Sequence, residues 1–364
     1  MIIQEVINEL EKIVPPVYAE DFDNVGLLVG NSETEVSKIL VCHDAVEEVV
    51  EEAIEKGANL IVSFHPIIFK GLKKLTGKTY VERAVMKAIR HDISIYATHT
   101  AFDNYIEGVN YGISEALNLK NTKILIPQSD TLKELVVYVP EANADELRTA
   151  LAKAGAGNIG NYDSCSFNST GSGYFRAKDG ANPYVGELGE LHKENEVRVS
   201  VIFSKHLESG IMKAMRAVHP YEEIAYQIYS IENKNQNIGM GMVGDLENEM
   251  AETDFMDFLK DKMKTEVVRH SKLLNKKIKR VAVLGGSGSF AIQSAISAGA
   301  DAFVTADLKY HDFYGAENRI LVADIGHFES ERYTKDLLTA YLSEKFINFA
   351  ILKSAINTNP VYYY

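Results

Sequence analysis

The stretch that decides the fold is Ala58 to Gly71, "ANLIVSFHPIIFKG". Leu60 to Val62 read as a strand buried on both faces, because a short aliphatic run bounded by turn residues has no polar side to offer to water. A histidine and a proline close the run. Pro66 cannot continue a ladder and biases the residue before it away from helix, so His65 stands at the carboxyl end of the strand. In a parallel sheet those ends share one edge, and ligands bind along that edge.

Working outward, "VGLLVG", "KILVCHD" and "DISIYAT" are runs of the same kind, separated by helical patterns at Ala45 to Lys56 and Tyr80 to Arg90. Val6, Ile7, Leu10 and Ile13 lie at helical spacing upstream, and "VPPVY" stops that helix. The texture returns after about Asp245 with "KRVAVLGG", "ADAFVTA", "RILVADIG" and "NFAILKSA". Short strands alternating with amphipathic helices predict an α/β body whose mostly parallel sheet carries helices on both faces.

Between these halves the order changes. "KELVVYVP" reads as a strand, Ala144 to Lys153 as a helix, "NYDSCSFNS" and "GYFRAK" as a strand pair, "EVRVSVIFS" as an alternating strand, Leu207 to Val218 as a helix and "EIAYQIYSI" as a last strand. That is a ferredoxin-like α+β pattern with an additional hairpin strand. The expected organisation is therefore a core built from residues 1–125 and 246–364, interrupted by an inserted domain over residues 126–245.

A length of 364 residues with 46% apolar content accommodates such a body and insertion. Lys and Arg total 38 against 51 Asp and Glu, a net charge of −13, which opposes nucleic acid as the main partner. No run approaches the roughly twenty apolar residues of a membrane span, and "MIIQEVINELEKIV" lacks the pattern of a signal peptide, so a cytoplasmic protein is expected. Cys42 and Cys165 lie far apart in strand-like segments and are read as neither a disulfide nor a nucleophile.

Three strand ends gather residues that bind metals. The first carries His65. The second, "YATHTAFDN", carries His99 and Asp103. The third, "LVADIGHFESER", places His327 and Glu331 four residues apart, on one face of a starting helix. Imidazoles with carboxylates suit zinc, iron, manganese or nickel. Each also has a plainer reading: a hydrogen-bonded histidine at a strand end, an acid favoured in a first helical turn, or an aspartate capping a turn. Asp307 and His311 in "TADLKYHDF" could orient ligands or contact substrate, or simply start a solvated helix. His43 in "HDA" is read as structural. "LGGSGSF" could cradle an anion with backbone amides or serve as a tight strand-to-helix turn.

The motifs "EDFDNVGLLVG", "SFHPIIFKGLKKL", "HTAFDNYIEGVN", "VAVLGGSG", "VTADLKYHD" and "DIGHFESE" together resemble the GTP cyclohydrolase I type 2 homologue family, also called interacting-factor-three-like proteins, over essentially the whole chain. The inserted segment, with "HPYEEIAYQIY", looks like the PII-like or copper-tolerance-protein-like module of the longer bacterial members. The resemblance implies two divalent metals in an interior cleft, with matching positions at His65, Asp103, His327 and Glu331. It also implies a toroidal homohexamer. The family pattern has two adjacent histidines before the proline, and here the first is Phe64, so one imidazole is missing and the count falls to one or two ions per chain.

Two functions follow as expectations. One is a metal-dependent hydrolase acting on GTP or a related nucleotide or phosphoester, with Asp307, His311 or His99 moving protons. The other is a metal-binding sensor or metal-trafficking protein without catalysis. A contact with nucleic-acid machinery is opposed by the acidic balance.

Overall fold

Apolar residues recur every three or four positions at the start of the chain, so Ile3, Val6, Ile7 and Leu10 are buried along one face of helix α1 (Ile3–Ile13), and Pro15 and Pro16 follow it. The computed structural model describes all 364 residues. Next come β1 (Gly26–Val29), β2 (Ile39–Cys42), α2 (Glu47–Lys56), β3 (Leu60–Ser63), α3 (Tyr80–Arg90) and β4 (Ser94–Ala97). A short α4 (His99–Asp103), then α5 (Val109–Ala116) and β5 (Lys120–Pro127), complete the first segment.

Residues 128–236 form a compact unit of their own. It contains β6 (Leu132–Pro140), α6 (Ala144–Lys153), β7 (Phe167–Arg176), β8 (Leu191–Ser204), α7 (Glu208–Val218) and β9 (Tyr226–Ser230). Its four strands are all antiparallel, in the order β7-β8-β6-β9. Leu135, Val137 and Val139 of β6 alternate onto the face that packs Leu147, Leu151, Ile211 and Met215 of the two helices. The sequence suggested a strand pair at 161–178, but the structure has one long strand, β7, preceded by a turn-rich segment that carries Cys165. Gly171 and Gly173 look like breakers in sequence, yet they pair with Glu196 and Glu194 inside the ladder.

The chain then returns through β10 (Gly239–Ala251), α8 (Glu252–Met263), β11 (Arg269–His270), β12 (Lys277–Ser287), α9 (Ile292–Ser297), β13 (Ala302–Ala306) and β14 (Leu321–Asp324). It ends with α10 (His327–Glu331), α11 (Thr334–Lys345) and β15 (Ile351–Lys353). With residues 1–127 these elements form the second compact unit.

That unit holds two sheets, ordered β1-β4-β3-β2-β15 and β11-β14-β13-β12-β10-β5. The expectation of a mostly parallel sheet is corrected here, since both are mixed. Strands β15, β2, β3 and β4 run parallel and so do β12, β13 and β14, but β1, β11, β10 and β5 are antiparallel to their neighbours. The departures lie at the margins: β1 and β11 are antiparallel edge strands, and the β10–β5 pair closes the other side of the second sheet, as antiparallel strands commonly do on an otherwise parallel sheet.

Period-two alternation sets the layers. Ile39, Val41, Leu60 and Val62 face a core shared with Val281, Val283, Val304 and Leu321 of the other sheet and with α1, α5, α8 and α11. Leu40, Cys42, Ile61 and Ile95 face α2 and α3. Ala282, Leu284, Phe303 and Val322 face α9. Both sheets thus pack toward one interior. No helix is long and apolar enough to cross a membrane.

In the unit formed by residues 128–236, His219 is buried, donates from Nε2 to the Tyr138 carbonyl at 2.9 Å, and accepts at Nδ1 from the Tyr221 amide at 3.1 Å. Burial holds its pKa below the ordinary value. Protonation therefore favours the unfolded chain. The stability of this unit is full above the unfolded pKa of about 6.5 and falls as the pH drops below it. Hydrogen-exchange protection of β6, corrected for intrinsic rates, should decline below about pH 6.5, and the decline should flatten in His219→Gln.

Candidate metal centre

Three neighbouring parallel strands end in histidines. β2 runs into His43, β3 into Phe64 and His65, and β4 into Thr98 and His99. The ladder continues past the strands: the His65 amide donates to the His43 carbonyl at 2.9 Å, and the His99 amide to that of Phe64 at 2.8 Å. The second sheet delivers Asp307 just after β13 and His327 with Glu331 on α10, just after β14.

The two edges meet around one atom. Glu331 Oε2 lies 3.1 Å from His327 Nε2, 3.2 Å from His65 Nε2 and 3.4 Å from His43 Nε2. His65 Nε2 and His327 Nε2 are themselves 3.5 Å apart. Glu331 is 4% exposed, and its Oε2 is at hydrogen-bonding distance from three ring nitrogens while aligned with none of them. Asp103 Oδ1 and both ring nitrogens of His43 are also buried without a hydrogen-bond partner. Buried polar atoms are nearly always paired, so four unpaired atoms in one cluster indicate a group that the side chains alone do not supply.

On their outer sides the imidazoles are held by carboxylates. Asp44 Oδ1 lies 2.7 Å from His65 Nδ1, Asp307 Oδ2 2.7 Å from His327 Nδ1, and Asp23 Oδ1 2.7 Å from His99 Nδ1. An acid on Nδ1 fixes the tautomer whose Nε2 lone pair points inward, an arrangement that metal-ligating histidines commonly have. The acids are anchored in turn: Asp44 Oδ2 accepts from the Thr358 hydroxyl at 2.5 Å, and Asp23 Oδ2 from the Thr100 amide at 3.0 Å. His99 and Asp307 both have left-handed backbones, with φ of 29° and 56°, strain of the kind that collects at functional sites.

The charges follow from this geometry. Burial works against a charged His65, but the Asp44 and Glu331 carboxylates outweigh it and lift the imidazole to about 9. His327 is likewise penalised by burial and then lifted to about 11 by Asp307 and Glu331. Burial would raise Glu331, yet the surrounding imidazoles hold it well below the usual carboxylate range. Burial and then the Glu331 charge push Asp103 well above its ordinary value, outweighing the opposing pull of His65 and His327. The cluster thus concentrates acidic oxygens that share protons with imidazoles, and a divalent cation could replace those protons.

Of the residues named from sequence, His65, His327 and Glu331 converge within contact distance, and Asp103 is electrostatically coupled to all three. Asp307 bonds His327. His99 lies beside His65, their ring centroids 5.3 Å apart. His311 is not part of the cluster: it is exposed and packs on Tyr310 and Tyr314. His43, read from sequence as structural, is a participant after all, as are Asp44 and Asp23, which the sequence did not single out. The signal for the first two was available, because "CHD" closes a buried strand just as "SFH" does. Phe64 is fully buried, its ring centroid 5.4 Å from that of His43 and 5.7 Å from that of His99.

The glycine-rich turn has a packing role. The Gly285 amide donates to Asn110 Oδ1 at 3.0 Å, and the Gly286 amide to Ser330 Oγ at 2.9 Å, which seats α10. A Cβ on Gly286 would stand 2.5 Å from Glu331 Oε1. A cavity of about 280 Å³ opens beside the cluster, lined by His43, His65, His327, Asp307, Arg269 and Tyr363 among others.

A family model described as Duf34/NIF3 (NGG1p interacting factor 3) matches residues 1–360. The chain belongs to this family. It is 40% identical over 363 residues to a Bacillus subtilis protein named GTP cyclohydrolase 1 type 2 homolog, covering 98% of this chain and 97% of the relative. A Halalkalibacterium halodurans protein of the same name is 36% identical, with 98% and 97% covered. Among solved structures, a Bacillus cereus protein related to NIF3 superposes with a TM-score of 0.89 at 37% identity, covering 100% of this chain and 99% of that one. A Staphylococcus aureus protein gives 0.79 at 32% identity over the same shares. Over its whole length the chain therefore has the mixed α/β architecture of the Duf34/NIF3 proteins.

Gly286 (φ 66°) and Gly299 (φ 72°) are both left-handed, but only Gly286 faces a close neighbour. Gly299→Ala should cost about 1–2 kcal/mol from backbone strain. Gly286→Ala should cost about 1–3 kcal/mol more by pressing on Glu331. Urea denaturation of the two variants checks the difference, and equal losses would remove the packing role of Gly286.

Proposed function

We propose that this protein binds one or two divalent metal ions through His65, Asp103, His327 and Glu331 and uses them to hydrolyse a nucleotide or related phosphoester. The observation that carries the proposal is the convergence of two imidazole Nε2 atoms and Glu331 Oε2, all three interacting electrostatically with Asp103, whose buried Oδ1 has no partner, and with the His65 and His327 Nδ1 atoms already taken by Asp44 and Asp307. Mixed nitrogen and oxygen donors suit zinc, iron, manganese or nickel.

When bound, a divalent ion supplies Lewis-acid polarisation and activates water for hydrolysis near neutral pH. The protein's own groups divide the remaining work. Asp44 and Asp307 hold the imidazole planes. His99, with Asp23 on its Nδ1, is placed to hold or pass a proton at Nε2. Arg269 reaches the cavity with its guanidinium 3.0 Å from Asp324 and offers a fixed positive charge toward an anionic substrate. The cavity volume, about 280 Å³, lies at the low end for small-molecule sites and suits the reacting end of a nucleotide.

The relatives' name, GTP cyclohydrolase 1 type 2 homolog, makes GTP the first substrate to try. The four-stranded unit of residues 128–236 supports reading it as a ferredoxin-like, PII-like module. A toroidal homohexamer is the assembly that the resemblance supports. A second reading, metal sensing or trafficking without catalysis, draws on Phe64, which withholds an imidazole from the cluster.

The purified protein should carry stoichiometric divalent metal by elemental analysis, and His327→Ala should lose most of it. Asp307→Asn should bind about 10–100-fold more weakly, because only the orienting hydrogen bond is changed. Release of formate or phosphate from GTP should stop on chelation, return with added metal, and be absent from Glu331→Gln. Metal that binds and exchanges without turnover of any nucleotide would favour the sensor reading. A chain without metal, unaffected by His327→Ala, would refute both.

A further inference from the structure

His43 is the buried group that the four-residue ligand set leaves unexplained. It follows the last residue of β2, is 4% exposed, and neither ring nitrogen has a hydrogen-bond partner. A neutral imidazole in a core ordinarily donates one N–H and accepts at the other nitrogen, so two unpaired nitrogens at full burial are costly. Its Nε2 nevertheless points at the centre of the cluster, 3.4 Å from Glu331 Oε2. Its ring is wedged by Phe64 at 5.4 Å, His65 at 4.7 Å and Phe328 at 5.2 Å between centroids, which fix that direction.

The family resemblance implies an imidazole at position 64, and the Phe64 that stands there cannot ligate. Phe64 and His43 sit on adjacent parallel strands, tied by the bond from the Phe64 amide to the Cys42 carbonyl at 3.1 Å. A side chain at the end of β2 can thus reach the space that a side chain at the end of β3 would have filled. We infer that His43 Nε2 is a metal ligand that takes the place of the imidazole missing at position 64, so that the loss on one strand is compensated from its neighbour. The inference rests on the metal-centre reading above and adds to it a residue and a donor set: three imidazoles, His43, His65 and His327, with the carboxylates. Phe64 then becomes the apolar wall that packs the His43 ring.

The test uses the full chain, cobalt(II) as a visible-absorbing probe, and three variants: His43→Leu, Phe64→His, and the two combined. His43→Leu should weaken cobalt binding at one site about 100-fold or more and change its visible spectrum. The combined variant should recover most of that affinity, because the imidazole returns from the other strand. In wild-type protein loaded with cadmium-113, nitrogen-15 correlation spectra should show metal coupling to Nε2 of three imidazoles, His43 among them, a readout that needs no variant to fold. Unchanged cobalt affinity and spectrum in His43→Leu, or cadmium coupling to His65 and His327 without His43, overturns this inference while leaving the metal centre standing. Absence of cobalt binding by the wild type overturns both.

Discussion

The site depends on a single constraint: one buried carboxylate oxygen, Glu331 Oε2, is held among the nitrogens of three imidazoles, of which His43 is buried and His65 and His327 are partly open to the adjoining cavity. An isolated buried carboxylate would take up a proton, and isolated buried imidazoles would lose theirs. Here they can exist only together, and they come from opposite edges of two sheets. The shared apolar core, with Val41 and Val62 on one side and Val283 and Val304 on the other, holds those edges face to face. Close approach also requires a flat strip of backbone under α10, which Gly285 and Gly286 provide, and a polar clamp, which Asn110 and Ser330 supply.

Charge is arranged in two shells. The inner oxygens of Glu331 and Asp103 repel each other, and the outer acids, Asp44, Asp23 and Asp307, hold the Nδ1 atoms of His65, His99 and His327, while His43 has no such acid. Taking charged groups such as Glu331 and Asp103 out of water can cost more than their attraction to neighbours returns. Such an arrangement is therefore poor evidence for stability and good evidence for chemistry. Left-handed backbones at His99 and Asp307 add to the local cost. The surrounding hydrophobic layers, closed on their outer faces by α2, α3 and α9, offset it.

Much of this was legible in the sequence for a physical reason. Buried parallel strands announce themselves as aliphatic runs, and polar residues just beyond them must lie along one edge, so His65, His327 and Glu331 could be gathered before any coordinates. Family membership was equally legible from motifs spread over the whole chain. What could not be read was direction. Neither β5 nor β10 stands among the aliphatic runs, and nothing in an edge strand's own residues gives the sense in which it pairs. His43 reads as structural because its place at a strand end is legible while the direction of its ring is not. Phe64 explains that direction only once the two rings are seen in contact. The glycines at 285 and 286 read equally as an anion cradle or a tight turn, and the structure shows them letting α10 come close.

Everything proposed for this protein turns on whether the Glu331 cluster holds a metal ion. The most direct measurement is anomalous diffraction, above and below the absorption edge of the metal found in the protein, from crystals of the loaded chain. The account predicts an anomalous peak between the Glu331 carboxylate and the Nε2 atoms of His65 and His327, with Asp103 alongside. A chain whose only anomalous peaks lie at surface residues such as His311, with the four-residue cluster closed on itself by hydrogen bonds, would contradict it.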